Sequence, residues 1–164
     1  MIKPINEYVN TLISAKRYEI MNEATSFDKY GNYITNYSID GVKITISIYK
    51  GKPTIEEIKS EFLPKLDDDI KVLKSEWDKV IEKVAQEHFD YVKDCGRENY
   101  IKKYDTLEKN KKAIKLSVVH YDNNNRFSLV FNSDVARADG HSIFVDEVYI
   151  INGHVKVSYV TFEG

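Results

Sequence analysis

Between residues 66 and 93 the chain repeats one pattern. Ile70, Leu73, Trp77, Val80, Ile81, Val84, His88 and Phe89 recur at steps of three and four. Asp68, Lys71, Lys74, Asp78, Lys79, Glu82 and Lys83 fall mostly between them. That spacing predicts one amphipathic helix with a single stripe to bury. At the rise of an α-helix it would run about 40 Å, the width of a small domain. Whatever else the chain forms must present a matching apolar wall.

The wall is predicted from hairpins. Asp40-Gly41 suits a two-residue turn with both residues at positive φ. Counting outward pairs Ile39 with Val42, Tyr37 with Ile44, Thr35 with Ile46 and Tyr33 with Ile48 on one face. Ile34, Asn36, Ser38, Lys43, Thr45 and Ser47 take the other, wetted face. A second two-residue turn, Asn152-Gly153, joins strands over 141–151 and 154–162. Between them, strands over 116–121 and 126–131 flank a four-residue turn, Asp122 to Asn125. The expected class is α+β: an antiparallel sheet built from hairpins, with the long helix packed on one face. The 164 residues suit one domain, and neither a repeat nor a linker divides them.

Smaller elements follow from local chemistry. Asn6 caps a short helix over 7–16, and 17–22 is a candidate strand. Residues 26–32 read as a turn through Asp28, Gly31 and Asn32. Thr54-Ile55-Glu56-Glu57 is a capping box, opening a helix that Pro64 should break or kink. Asp67, Asp68 and Asp69 favour the start of the long helix through its dipole, and Gly96 favours its end. Tyr100, Ile101, Tyr104 and Leu107 predict a second helix within 97–112. Residues 133–140 read as a polar loop.

Composition narrows the function classes. A formal net charge of −2 offers no cationic surplus for phosphates, so nucleic acid is not an expected partner. No stretch reaches the ~18 apolar residues of a membrane helix. The opening residues lack a signal-peptide core, and the single Cys95 fits a reducing compartment, so a cytoplasmic location is expected. Twelve Tyr favour sheet and protein-contact surfaces.

Candidate chemistry is sparse. On the predicted faces, Asp146 shares the apolar side of the last hairpin with Phe144, Val148, Ile150, Val155, Val157 and Tyr159. His120 joins Leu116, Val118, Phe127, Leu129 and Phe131. A carboxylate there needs a partner. His120 and Asp146 are therefore a candidate base and orienting acid, a satisfied polar pair at the sheet end, or two residues at the solvent margin. Asp139, His141, His120 and His154 are candidate zinc ligands by type, but no HxxxH, HxH or CxxC spacing supports them. His141 and His154 would lie ~33 Å apart along extended strands. Ser142 and His141 point to opposite faces as strand neighbours, which spoils proton transfer. His88 lies on the helix stripe and reads as a core or edge histidine. Cys95, near Lys93 and Arg97, reads as a helix-end thiol. No glycine-rich phosphate loop and no calcium-loop pattern occurs. No cofactor, metal or catalytic set is expected.

The segment Asp139-Gly140-His141-Ser142-Ile143-Phe144-Val145, with the strand 127–132 before it, resembles an uncharacterised bacterial domain family. In that family Gly-His-Ser-Ile opens a final β-hairpin, after a Trp where this chain has Asp139. The resemblance implies a small intracellular α+β protein. It also implies a kinship with immunity or accessory proteins of toxin systems, and it brings no catalytic residues. Gly140 is expected to supply a special backbone angle, and His141 to bond the loop backbone and fix it against the long helix. The leading expectation is a non-enzymatic protein whose partner is another protein. The alternative is a hydrolase or metal-assisted enzyme using His120, Asp139, His141 and Asp146.

Overall fold

The computed structural model describes residues 26–27, 32–47, 54–122 and 126–164. The predicted helix over 7–16, the strand over 17–22, Ile48 and the Gly51-Lys52-Pro53 break lie outside the described residues.

The two tight turns form as expected. Asp40 and Gly41 sit at φ 49° and 79°, Asn152 and Gly153 at 52° and 75°. These are the left-handed values that such hairpins need. Around the first, β2 (Tyr33–Ile39) pairs with β3 (Val42–Ser47), and the short β1 (Ser26–Phe27) extends the edge where a turn was expected. Strands β4 (Lys115–Asp122), β5 (Arg126–Asn132), β6 (Ser142–Ile151) and β7 (His154–Val157) continue the sheet in order, and β8 (Thr161–Glu163) returns to β6. Neighbours are antiparallel except β3 and β4, which run parallel. A parallel join demands a long crossover. Here the crossover carries the helical layer, so the fold is α+β with the helices inserted midway through the sheet.

The capping box closes as written. Thr54 N–H donates to Glu57 Oε2 at 2.6 Å, and Glu57 N–H donates to Thr54 Oγ1 at 3.1 Å. Helix α1 (Ile55–Glu57) runs through a π-turn (Ile58–Phe62) into α2 (Leu63–Ser75). Pro64 therefore does not end the run. It occupies the first turn of α2, and the wider π-turn before it accommodates the missing donor. The long helix is not continuous either: α2 and α3 (Trp77–Asp94) are separated at Glu76, which leaves helical geometry at φ −113°, ψ 17°. No Gly or Pro stands there. The cause is tertiary: the Glu76 carboxylate accepts from His154 Nδ1 (2.9 Å), Val155 N–H (2.8 Å) and Lys79 Nζ (2.9 Å). The end of the last hairpin thus holds the helix open at that residue.

The predicted stripe still meets the sheet. Leu66, Ile70, Leu73, Val80, Val84 and Ala85 form one core with Ile39, Ile44, Ile46, Val119, Tyr121, Phe127, Leu129, Phe131, Ile143, Val145 and Val148. Trp77 stacks on Phe131 at 6.1 Å. Burying each large aliphatic or aromatic side chain contributes roughly 1.5–3 kcal/mol before chain entropy is set against it.

Three register details depart from the predicted pairing. In the first hairpin, Ile39 faces Val42 but Tyr33 faces Ile46, with an irregularity between. The offset is two residues, so the buried face survives: Tyr33, Thr35, Ile39, Ile44 and Ile46 are buried. Ser47, expected to be wet, is buried too. In the middle hairpin, Tyr121 faces Phe127 and Val119 faces Leu129. Three residues, not four, separate the strands. That one-residue change turns Val119 and Tyr121 inward and places Val118 and His120 on the opposite face. In β6 a bulge lies between the pairs Leu129–Val145 and Phe127–Val148. It brings both valines inward and leaves Asp146 exposed. Tyr159, the expected partner of Asp146, is 51% exposed beyond the end of β7.

The second predicted helix divides into α4 (Glu98–Lys103) and α5 (Leu107–Ala113). Thr106 caps α5 by accepting from Lys109 N–H at 3.3 Å. The supposed loop 133–140 contains a helix, α6 (Asp134–Ala138), capped by Ser133, whose Oγ accepts from Ala136 N–H at 3.1 Å. No described helix is long and apolar enough to cross a membrane.

Candidate functional site

The Gly-His-Ser-Ile segment begins as a helix terminus. Gly140 N–H donates to Arg137 O (3.0 Å) and His141 N–H to Ala136 O (2.8 Å). This crossed pair is a Schellman end for α6, and it requires a left-handed residue, supplied by Gly140 at φ 75°. The turn aims Asp139 and His141 at Tyr91 on the last turns of α3.

There the three side chains meet. Tyr91 Oη donates to Asp139 Oδ2 at 2.6 Å and lies 3.1 Å from His141 Nδ1. A phenol has one proton. Since it goes to the carboxylate, His141 must donate from Nδ1 to the phenol oxygen. The hydrogen-bond pattern thereby assigns the imidazole proton. Arg97, from the turn before α4, pairs with Asp139 Oδ1. The Tyr91 bond first, then the Arg97 and His141 charges, hold the Asp139 carboxyl below its usual range against partial burial. Burial first, then the Asp139 bond and charge, push the Tyr91 phenol up to about 12. Phe162 of β8 stacks flat on Tyr91, 4.1 Å away and 3° from parallel. The cluster therefore ties α3, α6 and β8 together. The expected contact of the His141 ring with loop backbone is replaced by this bond to Tyr91; the backbone contact is made by its own N–H.

A second polar cluster lies deeper. His88 is fully buried, with Nδ1 2.7 Å from Asn110 Oδ1 and Nε2 2.9 Å from Ser133 Oγ. Asn110 Nδ2 donates to Tyr104 O (2.8 Å) and Thr106 O (2.7 Å), so its Oδ1 is the acceptor. His88 then donates from Nδ1 and accepts at Nε2 from the Ser133 hydroxyl. Every group is satisfied with a neutral ring. Burial holds the imidazole below its ordinary 6.5, against smaller upward pulls from Asn110 and Asp134. Of the two readings of His88, core or edge, the structure gives the core. Asn110 and Ser133 were not singled out, although the Ser133-Asp134 capping pattern was a usable signal.

The four candidates of the enzymatic alternative do not share one site. Asp139 and His141 meet through Tyr91 on the helix side of the sheet. His120 lies on the other face, opposite Ser128, with Nδ1 3.4 Å from Ser47 Oγ. Asp146 is exposed, and its backbone oxygen accepts from Ser128 Oγ at 2.9 Å. His154 binds Glu76 at the far end of β6. Ser142 donates to Asn132 Oδ1 at 3.1 Å, and Cys95 Sγ to Val92 O at 2.9 Å. Among the described residues no three His, Cys, Asp or Glu are grouped to hold a metal ion.

Among the described residues, the outer face of the sheet carries a further apolar surface. Val118 faces Val130, and Val130 faces Phe144, forming an apolar row across β4, β5 and β6. All three are half-buried, and none joins the helix-side core. Beside the row lie Thr45, His120 and Ser128. Beyond these, Arg126 faces Tyr149 and pairs with Asp122 and Glu147.

Comparison with protein families, with curated proteins and with solved structures gives no match to this chain.

The clamp has a measurable worth. Tyr91→Phe removes one hydroxyl and both of its bonds while keeping the stack on Phe162. It should lower unfolding free energy by ~1 kcal/mol, measured by denaturant titration. Amide exchange should speed up over residues 139–142 and stay unchanged in β2 and β3.

Proposed function

We propose that this protein is a non-catalytic binding module, intracellular in setting, that engages another protein through the outer face of its sheet. One observation carries the reading. The row Val118–Val130–Phe144 is apolar, only partly buried and bordered by polar groups, while His88, His141 and His154 are spent on joining elements of the fold. A partly apolar patch with a polar rim is the usual anatomy of a protein contact. The mixed-sign charge gives selectivity more than attraction. A partner of the kind suggested by the resemblance, a toxin to be neutralised, would be met by such a face rather than by a reactive cleft.

The test is co-expression with the products of neighbouring genes, followed by affinity capture. One of them should co-purify in fixed ratio, and Phe144→Glu should abolish that capture while leaving thermal unfolding of this chain unchanged. Failure of every neighbour to co-purify would contradict the proposal, as would capture indifferent to both Phe144→Glu and Val130→Asp.

A further inference from the structure

Among the described residues, strand β7 is a sheet edge, paired with β6 alone. Its free side can be deduced from the register. Ile151 and His154 flank the two-residue turn and so form a hydrogen-bonded pair, and such pairs alternate along an antiparallel ladder. Lys156 opposite Tyr149 is the next, and Ser158 N–H does donate to Glu147 O at 3.1 Å, continuing the alternation. The intervening residues, Val155 and Val157, therefore direct their N–H and C=O groups away from β6. An unpaired row of this kind is a template for another strand.

The first outward N–H does not face an open side. Val155 N–H donates at 2.8 Å to Glu76 Oε2. The carboxylate arrives from the break between α2 and α3, its side chain is only 12% exposed, and His154 and Lys79 hold its other oxygen. It stands where the carbonyl of an added strand would stand. The separation of α2 from α3 has no local cause in the sequence, and this contact gives it one.

We infer that Glu76 guards the β7 edge, and that without it the edge pairs antiparallel with β7 of a second copy. Around a twofold axis, the outward N–H and C=O of Val155 and Val157 in one copy meet those of the other. The strand is four residues long, and after the Ser158 bond to Glu147 the chain leaves the ladder before β8 rejoins β6. The latent surface is thus small, and one blocked donor removes a large share of it. This inference is independent of the outer-face proposal and survives its failure.

The experiment is sedimentation velocity over a concentration series on wild type, Glu76→Ala, and Glu76→Ala combined with Val155→Pro. Proline is tolerated on edge strands and lacks the donor. Glu76→Ala should move to twice the wild-type mass with rising concentration, and the added proline should restore the wild-type mass. A folded Glu76→Ala with wild-type mass would overturn the inference, as would a doubled mass that persists with Val155→Pro. Amide exchange on the wild type gives an arm that needs no variant. Val155 should exchange much more slowly than Val157, and equal rates would overturn the guard.

Discussion

His88→Ala should destabilise the fold by about 3–5 kcal/mol, the range for emptying a fully buried site while orphaning its polar neighbours. The ring fills space beneath Tyr104 and Phe162, with centroids at 5.9 and 6.5 Å. Its loss opens a cavity, strips Asn110 Oδ1 of a donor and leaves the Ser133 hydroxyl without an acceptor. Three elements loosen together: α3, which carries His88; α5, held through Asn110; and α6, capped by Ser133. Denaturant titration of wild type and variant measures the difference. Its pH dependence has a definite sign. Burial keeps the folded imidazole below the unfolded value of 6.5, so the unfolded chain binds the proton first as pH falls. The His88 contribution is complete above pH 6.5 and is lost as pH falls toward the folded pKa. The gap between wild type and His88→Ala should therefore narrow from pH 7.5 to pH 5. A gap that widened on acidification would mean a ring held in its charged form.

Tyr121→Phe should cost about 1–3 kcal/mol for a change of one oxygen. Tyr121 is fully buried between the sheet and α2, and its hydroxyl donates to Asp69 Oδ2 at 2.8 Å. Asp69 is itself buried, with the Lys65 ammonium 3.8 Å away. Phenylalanine fills the same space and leaves the carboxylate short of its best donor, so the loss reports the stranded acceptor and little packing. Burial first, then the Asp69 bond and charge, push the Tyr121 phenol far above its ordinary range. Its absorbance should not titrate until alkali unfolds the chain. A Tyr121→Phe variant as stable as wild type would show that solvent already reaches Asp69.

The elements most open to reading from sequence were those set by neighbours along the chain. Asp40-Gly41 and Asn152-Gly153 demand positive φ and received it; Thr54 and Glu57 cap each other as their spacing requires. The stripe from Ile70 to Phe89 was legible because burial depends on period, and a period survives a break. The break itself was hidden: Glu76 is an ordinary helix residue until His154 and Val155, some 80 positions away, claim its carboxylate. The faces of the middle and last hairpins were misread for a related reason. Where a strand's two faces are both partly apolar, as with Val118/Val119 and Val145/Val148, nothing local distinguishes a three-residue loop from four, or a bulge from regular pleating. One residue then moved His120 to the outer face, and one bulge moved Asp146 into solvent. The catalytic pairing of the two depended on that count; the reading of them as residues at the solvent margin did not. Asp139 and His141 meet without the other members of either candidate set, and the Tyr91 that joins them lies about fifty residues earlier and carried no motif.

Among the described residues, helices seal one side of the sheet and leave the other only partly buried. Hydroxyl-radical footprinting of the native protein, read by mass spectrometry, tests this directly. Phe144 and Tyr149 should be labelled in the folded state, while Tyr121, Phe127 and Phe131 should be labelled only on unfolding. Equal protection of Phe144 and Phe131 would mean the outer face is covered, and the proposed contact surface would be withdrawn.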